Sequence, residues 1–219
     1  MSKDATVAVV GGTGKLGSAI ARRLAKAGRT VIIGSRSHES AEAAAAEIGF
    51  GIKGLANADA AAAADLVIVT APFAAQEATL LAIAPHVAGK IVVDTTVPLV
   101  PPKVMRVQLP PEGSAAQRAQ KLLGDGVRVT AAFHNVAAHK LATDADIGCD
   151  VLVFGDDKDA RAEVVKLVAA TGLRGIHGGA LANAAAAEAM TSILIFINKT
   201  YQVDGAGVTI TGKLIEPAG

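Results

Sequence analysis

The run Gly12-Thr13-Gly14-Lys15-Leu16-Gly17 stands between the apolar Val7-Ala8-Val9-Val10 and an amphipathic stretch, and this juncture limits the fold more than any other feature. Residues 6–10 form a β-branched run without alternation, which suits a strand buried on both faces. Over residues 16–27, Leu16, Ile20, Leu24 and Ala27 share one helical face, and Gly28 supplies a stop. A G-x-G-x-x-G run alone is a weak signal, but between a strand and a helix it marks a dinucleotide-binding turn. On that reading Gly12 permits the tight turn, Gly14 lets the backbone approach a diphosphate, and Gly17 lets helix and strand pack closely. The diphosphate then meets free N–H groups at the positive end of the helix.

The remaining pattern alternates short apolar runs with helical stretches. Strands are expected over residues 30–33, 52–55, 66–70, 91–94, 127–131 and 151–154, with a last short one near Ile176. Helices are expected over residues 41–48, 74–84, 115–123, from Asp156-Asp157 to Ala170, and over 181–199, while 98–111 is proline-rich and irregular. This order predicts an α/β Rossmann fold, a doubly wound parallel sheet, as one large domain or with a small C-terminal α/β domain. In the second case the division is residues 1–150 for a dinucleotide-binding domain and 151–219 for a substrate and dimerisation domain. Ligands of such sheets bind beyond the carboxyl ends of the strands. That rule gathers Gly11, Ser35, Arg36, Thr70-Ala71-Pro72 and Thr95-Thr96-Val97-Pro98 along one crevice.

Composition narrows the partners. Of the 219 residues 51% are apolar, largely Ala, Val, Ile and Leu, and 19% are charged, so a sizeable core is available and disorder is disfavoured. The net charge is +1 with no basic stripe, which argues against nucleic acid. The single cysteine, Cys149, excludes an internal disulfide framework. Residues 1–6 are polar and lead straight into a strand, so no signal peptide is expected. The most apolar late stretch, residues 190–197, is too short to span a bilayer. No membrane association and a cytoplasmic location are expected. A homodimer is expected, because the alanine-rich helix over 181–197 is hard to hide in so small a C-terminal unit.

The end of the second strand carries Gly34-Ser35-Arg36-Ser37, where an NAD enzyme usually has Asp or Glu. A carboxylate would repel a 2′-phosphate, whereas Arg36 offers a cationic fork and Ser35 and Ser37 offer hydroxyls, so NADP is the expected dinucleotide. Thr70, Pro72, Val97 and Pro98 are expected to flank the nicotinamide, although strand-terminating prolines are also ordinary. His134 either contacts a substrate ring or the nicotinamide amide, or is a histidine satisfied at a strand end. His139 and Lys140 either bind an anionic substrate tail or lie on a solvated helix face. The histidines and Cys149 lack metal-ligand spacing, and no metal is expected. No acid/base pair stands out. Hydride transfer between two redox rings needs alignment and exclusion of water, with little proton work by the protein.

Several blocks resemble the NADPH-dependent coenzyme F420 reductases. They are Gly12-Thr13-Gly14-Lys15-Leu16-Gly17, Ile33-Gly34-Ser35-Arg36, Lys90-Ile91-Val92-Val93-Asp94, Phe133-His134-Asn135-Val136, Val153-Phe154-Gly155-Asp156-Asp157, Gly179-Ala180-Leu181-Ala182-Asn183 and Glu188-Ala189-Met190-Thr191. The resemblance implies an oxidoreductase moving a hydride between NADP(H) and the deazaflavin coenzyme F420, or a similar ring, as a homodimer. It implies that Thr13, Lys15, Leu16, Ser35 and Arg36 bind NADP. Pro72, Val97, Pro98, His134 and Val136 would lie near the two rings, and Leu181, Asn183 and Thr191 would close the pocket. No catalytic acid or base is assigned; His134, Pro98 and Thr191 are the ring-positioning candidates. The chain departs from the family at Phe73-Ala74, where Trp-Glu is common, and at Ser192, where Pro is frequent. An NADPH-dependent flavin, pterin or imine reductase, or a non-catalytic NADP sensor, is the alternative.

Overall fold

Strand β1 (Val7–Val10) is fully buried at the heart of a sheet, in a computed structural model that describes residues 5–215. Residues 1–4, part of the segment read as free of a signal peptide, lie outside the described residues. On one side of β1 lie β2 (Val31–Ser35) and β3 (Lys53–Ala56). On the other lie β4 (Leu66–Val69), β5 (Ile91–Asp94), β6 (Arg128–Ala131), β7 (Asp150–Gly155) and β8 (Arg174–Gly179). The order is therefore 3-2-1-4-5-6-7-8. Every neighbouring pair is parallel except β6 and β7. The direction of winding switches between β1 and β4, where a doubly wound sheet opens a crevice.

Alternate residues of each strand feed opposite faces, as the two-residue strand period requires. Val7, Val9, Ile33 and Val93 pack under α1 (Lys15–Lys26) and α7 (Lys158–Ala170) through Ile20, Leu24, Val164 and Leu167. Ala8, Val10, Val67 and Val92 pack under α3 (Asn57–Ala63), α4 (Phe73–Ile83), α5 (Ala115–Leu123) and α8 (Ala184–Tyr201). Helix α2 (His38–Ile48) and the short α6 (Ala138–Leu141) complete the layers. Helix α3 was not expected from the sequence. The expected boundary at residue 150 falls at the start of β7, where strand direction reverses. The sheet and both apolar layers continue across it.

Two findings adjust the sequence reading. The left-handed residue of the first turn is Gly11, at φ 69°, and not Gly12. Gly12 is needed for space: a Cβ there would sit 2.4 Å from the Val9 carbonyl oxygen. The late apolar segment is also longer than the stretch that reads as too short for a bilayer. Including the 3-10 turn Leu181–Asn183, the helix runs over Leu181–Tyr201, with mean hydropathy 1.4 in its most apolar window, and is long and apolar enough to cross a membrane. One third of that window is buried in this fold. The buried side includes Glu188 and Ser192.

Arg23 ties distant segments to α1. Its guanidinium donates to the carbonyls of Leu141, Thr143, Ala145 and Thr171, at 2.7–2.9 Å. Asp144, between two of those carbonyls, pairs with Arg22 and Lys26.

Gly17 is the tightest link between α1 and the sheet, since a Cβ would lie 2.6 Å from both Gly12 Cα and Thr70 Oγ1. Gly17→Ala is expected to lower stability by about 1–3 kcal/mol, the range for forcing a methyl into a packed contact. Chemical denaturation of the two proteins checks this, and unchanged stability would contradict the contact.

Candidate active site

Beyond the carboxyl ends of β1, β2, β4 and β5 lies a cleft of about 740 Å³. Thr13, Gly14, Lys15 and Leu16 line it from the first turn, Ser35 and Arg36 from β2, Thr70 and Pro72 from β4, and Val97 from the loop after β5. These nine sequence candidates are brought together. Gly12 and Gly17 lie buried beneath, where their lack of a side chain sets the approach of α1. Gly14 is the N-cap of α1, and a Cβ on it would meet only the Gly11 oxygen at 3.7 Å. Its free face opens toward the cleft, at the positive end of a twelve-residue helix with no acidic residue in its first turn. The residues present therefore fit a diphosphate.

At the end of β2, Ser35 is buried and Arg36 is exposed. No carboxylate follows β2 directly, and Arg36 forms no ion pair among the described residues. Ser37 is used otherwise than expected: its hydroxyl caps α2, accepting from the Ser40 N–H at 3.2 Å and donating to Ser40 Oγ at 2.8 Å. Asn57, which sequence reading missed, also lines the cleft and accepts from the Gly11 N–H at 3.2 Å. It fits because Gly34 has no side chain, a Cβ there falling 2.9 Å from Asn57 Oδ1. An Asn-to-backbone bond of this range gives no periodic signal in the sequence.

The inner wall is made by residues 95–97. Thr95 Oγ1 donates to the Val69 carbonyl at 3.0 Å and Thr96 Oγ1 to the Ala71 carbonyl at 3.3 Å, which knits the β4 and β5 loops together. Thr70 Oγ1 donates likewise to the Val10 carbonyl at 3.1 Å. Beneath them Asp94 is fully buried, accepting from the Thr96 N–H at 2.9 Å and from Gln76 Nε2. The Gln76 amide also donates to the Ala115 carbonyl at 2.9 Å. Glu188 of α8 accepts from the Ala115 and Ala116 N–H groups at 2.7 and 3.1 Å. Ser114 Oγ takes the Gln117 N–H at 3.0 Å, so between them these two residues satisfy the start of α5. Burial holds the Asp94 carboxyl above its usual range, and burial with the nearby Asp94 charge pushes Glu188 up to about 8.

The other ring-positioning candidates do not line the cleft. Pro98 is buried beside it. His134 is 5% exposed, and neither ring nitrogen has a hydrogen-bond partner among the described residues. Burial lowers its pKa to about 4, so the ring is neutral at pH 7. Phe133 before it holds φ at 67°, a left-handed conformation that costs an apolar residue about 1–2 kcal/mol. Thr191 Oγ1 donates to the His134 carbonyl at 2.8 Å and so ties α8 to this loop. Leu181 is buried with its N–H on Asp156, and Asn183 is exposed, donating to the Gly178 carbonyl. His139 pairs with Asp204 at 2.7 Å and edges a second cavity of about 590 Å³ with Lys15 and Arg22. At the family departure, the Phe73 ring lies under the Arg118 guanidinium, 5.3 Å from ring centre to Cζ.

Comparison with known proteins places this geometry. The family described as NADP oxidoreductase, coenzyme F420-dependent, matches residues 6–98. The F420-dependent NADP reductase of Methanothermobacter thermautotrophicus is 40% identical over 218 residues, covering 94% of each chain. The chain belongs to the F420-dependent NADP reductases. The enzyme of that name from Methanocaldococcus jannaschii is 38% identical over 220 residues, covering 94% of this chain and 97% of its own. Among solved structures, a candidate F420-dependent NADP reductase from Arthrobacter sp. FB24 superposes with a TM-score of 0.81 at 29% identity, over 94% of this chain and 99% of that one. The family is one of oxidoreductases, and the Arthrobacter structure shares this α/β fold over 94% of this chain.

Glu188 gives the site a pH signature. Its folded-state pKa, about 8, lies above the ordinary 4.5, so the folded chain holds a proton that the unfolded chain releases between those values. The contribution is complete below about pH 4.5 and is lost as pH rises through about 8. Measured against Glu188→Gln, which cannot titrate, the native chain is expected to lose relative stability from pH 5 to 8 and then level off. Parallel stability curves for the two proteins across this window would refute the assignment.

Proposed function

We propose that this chain transfers a hydride between NADP(H) and coenzyme F420. The reading rests on one observation: an open helix N-terminus beside an unpaired Arg36, continuous with the wall at residues 95–97, in a chain matched along its length by F420-dependent NADP reductases. NADP supplies or receives the hydride at its nicotinamide. Gly14 and the N–H groups of α1 take the diphosphate, with Thr13, Lys15 and Leu16 around it. Ser35 and Arg36 take the 2′-phosphate. Thr70, Pro72, Val97 and Pro98 flank the nicotinamide, and His134, Val136 and Thr191 border the second ring from the β6 and α8 side. A neutral imidazole suits ring positioning and does not serve as a proton donor at pH 7.

The chain acts as a homodimer in this proposal, with residues 151–219 on the substrate and interface side, and works in the cytoplasm without membrane or nucleic acid partners. Met190, Ile193 and Phe196 stand exposed on α8, at 37, 45 and 51%. The neighbouring loop adds exposed Val107 and Leu109, and Ser192 Oγ bonds the Arg106 carbonyl between them. A second copy covering this face would hide it from water.

Arg36→Ala is expected to weaken NADPH binding by about 1.5–3 kcal/mol, the range for a bond to a charged group, while NADH binding stays level. Titration calorimetry decides it, and equal affinity of the native chain for both dinucleotides would exclude the assignment. For the mechanism, His134→Ala should lower kcat modestly, and Pro98→Trp should lower it more, because ring alignment dominates the barrier. A dead His134→Ala beside a working Pro98→Trp, in NADPH turnover against F420, flavins and pterins, would point to proton chemistry and an imine-reducing reaction. Sedimentation of Phe196→Asp should yield a monomer, and an unmodified chain that is already monomeric would remove the dimer from the proposal.

A further inference from the structure

We infer that Gln76, Asp94 and Glu188 form one buried polar chain that fixes the spacing between the two loops flanking the hydride-transfer site, residues 95–98 and 134–136. The inference rests on the functional reading above for what the two loops hold. It stands on geometry for the link between them.

The connections run unbroken through named atoms. The wall begins with the Thr96 N–H on Asp94 Oδ1. Asp94 Oδ2 receives one N–H of the Gln76 amide, and the other goes to the Ala115 carbonyl. The N–H groups of Ala115 and Ala116 go to the two oxygens of Glu188. Less than one helical turn along α8, Thr191 grips the His134 carbonyl. Five elements or loops far apart in sequence thus share one line of directional bonds.

A purely structural need does not call for these residues. Burying two carboxyls and an amide is costly, and an apolar cluster of the same volume is often as stable or more so. Ser114 already caps α5, and a neutral side chain could serve its first N–H groups. The Oε1 atom of Gln76 has no partner among the described residues, and both bonds of the amide run through its donor nitrogen. Apolar contacts permit sliding, whereas hydrogen bonds in a medium of low dielectric fix distance and direction. Two rings exchanging a hydride need such control, since a displacement of about 1 Å can lower the rate by about a hundredfold. The three are positioning residues, and none is placed against a ring.

Hydrogen exchange of the unliganded protein separates a chain from a set of local caps. Gln76→Leu leaves Glu188 on α5, so a local role predicts faster exchange only around residues 94–97 and 115. A continuous chain predicts exchange faster by about tenfold at residues 134–136 as well, with α1 and β1 unchanged. Glu188→Gln, read in the reverse direction, should quicken residues 95–97, and it serves alone if Gln76→Leu does not fold. In single-turnover reduction of F420, both variants should slow hydride transfer by about tenfold or more while NADPH affinity stays within about twofold. Glu188→Gln, which keeps one acceptor, should fall less than Glu188→Leu. Exchange that changes only on the mutated side, or a rate loss matched by lost NADPH affinity, overturns the inference. A native chain that never reduces F420 sinks the functional reading, while the exchange data still decide the link.

Discussion

The contact of Gly17 with Gly12 and Thr70 is the constraint on which the rest of the site depends. It presses α1 onto β1 and β4 at the point where the winding of the sheet changes direction. The close approach leaves the first N–H groups of α1 facing outward, into a space that the parallel strands cannot fill themselves. Every other part of the cleft is built outward from there. Asn57 steadies Gly11, Thr70 bonds back to Val10, and Thr95 and Thr96 bond back to the β4 strand and loop. The cleft is thus a by-product of tight packing underneath it, which explains why small residues, not reactive ones, dominate its floor.

Electrostatics divides the site into two regimes. The side nearest the N-terminus of α1 is open and cationic, with Lys15 and Arg36 exposed at its rim. The far side is buried: His134, Asp94 and Glu188 are each at most 5% exposed, and their protonation is displaced toward the neutral form. A buried surround suits two flat rings brought face to face, because it keeps water away from the ring that gives up the hydride and the ring that takes it.

Much of this was legible in the sequence, for particular reasons. The parallel sheet followed from β-branched runs such as Val7-Ala8-Val9-Val10, and the cleft followed from the rule that ligands sit beyond strand ends. NADP followed from Arg36 standing where a carboxylate was absent. What escaped was long-range or aperiodic. Asn57 and Gln76 tie into the site through long-range hydrogen bonds that no spacing announces. Glu188 reads in sequence as one polar residue in an apolar helix, and only the fold shows that it faces the start of α5. Helix α3 was missed because its Asn57–Ala63 run is barely two turns of mostly alanine, too short for periodicity to declare a face. The division of work between Gly11 and Gly12 was not legible, because a motif names glycines without saying which one turns and which one yields space.

Arg23 shows how such a frame can be kept while its surface changes. Its guanidinium holds four backbone carbonyls from the segment around residues 141–145 and from the turn before β8. A grip on carbonyls is indifferent to the side chains attached to them. The loop that follows His134 and Val136 can therefore vary in its side chains, while its backbone path stays pinned to the same helix whose N-terminus opens onto the cleft. In such a chain one arginine separates inheritance of position from inheritance of specificity.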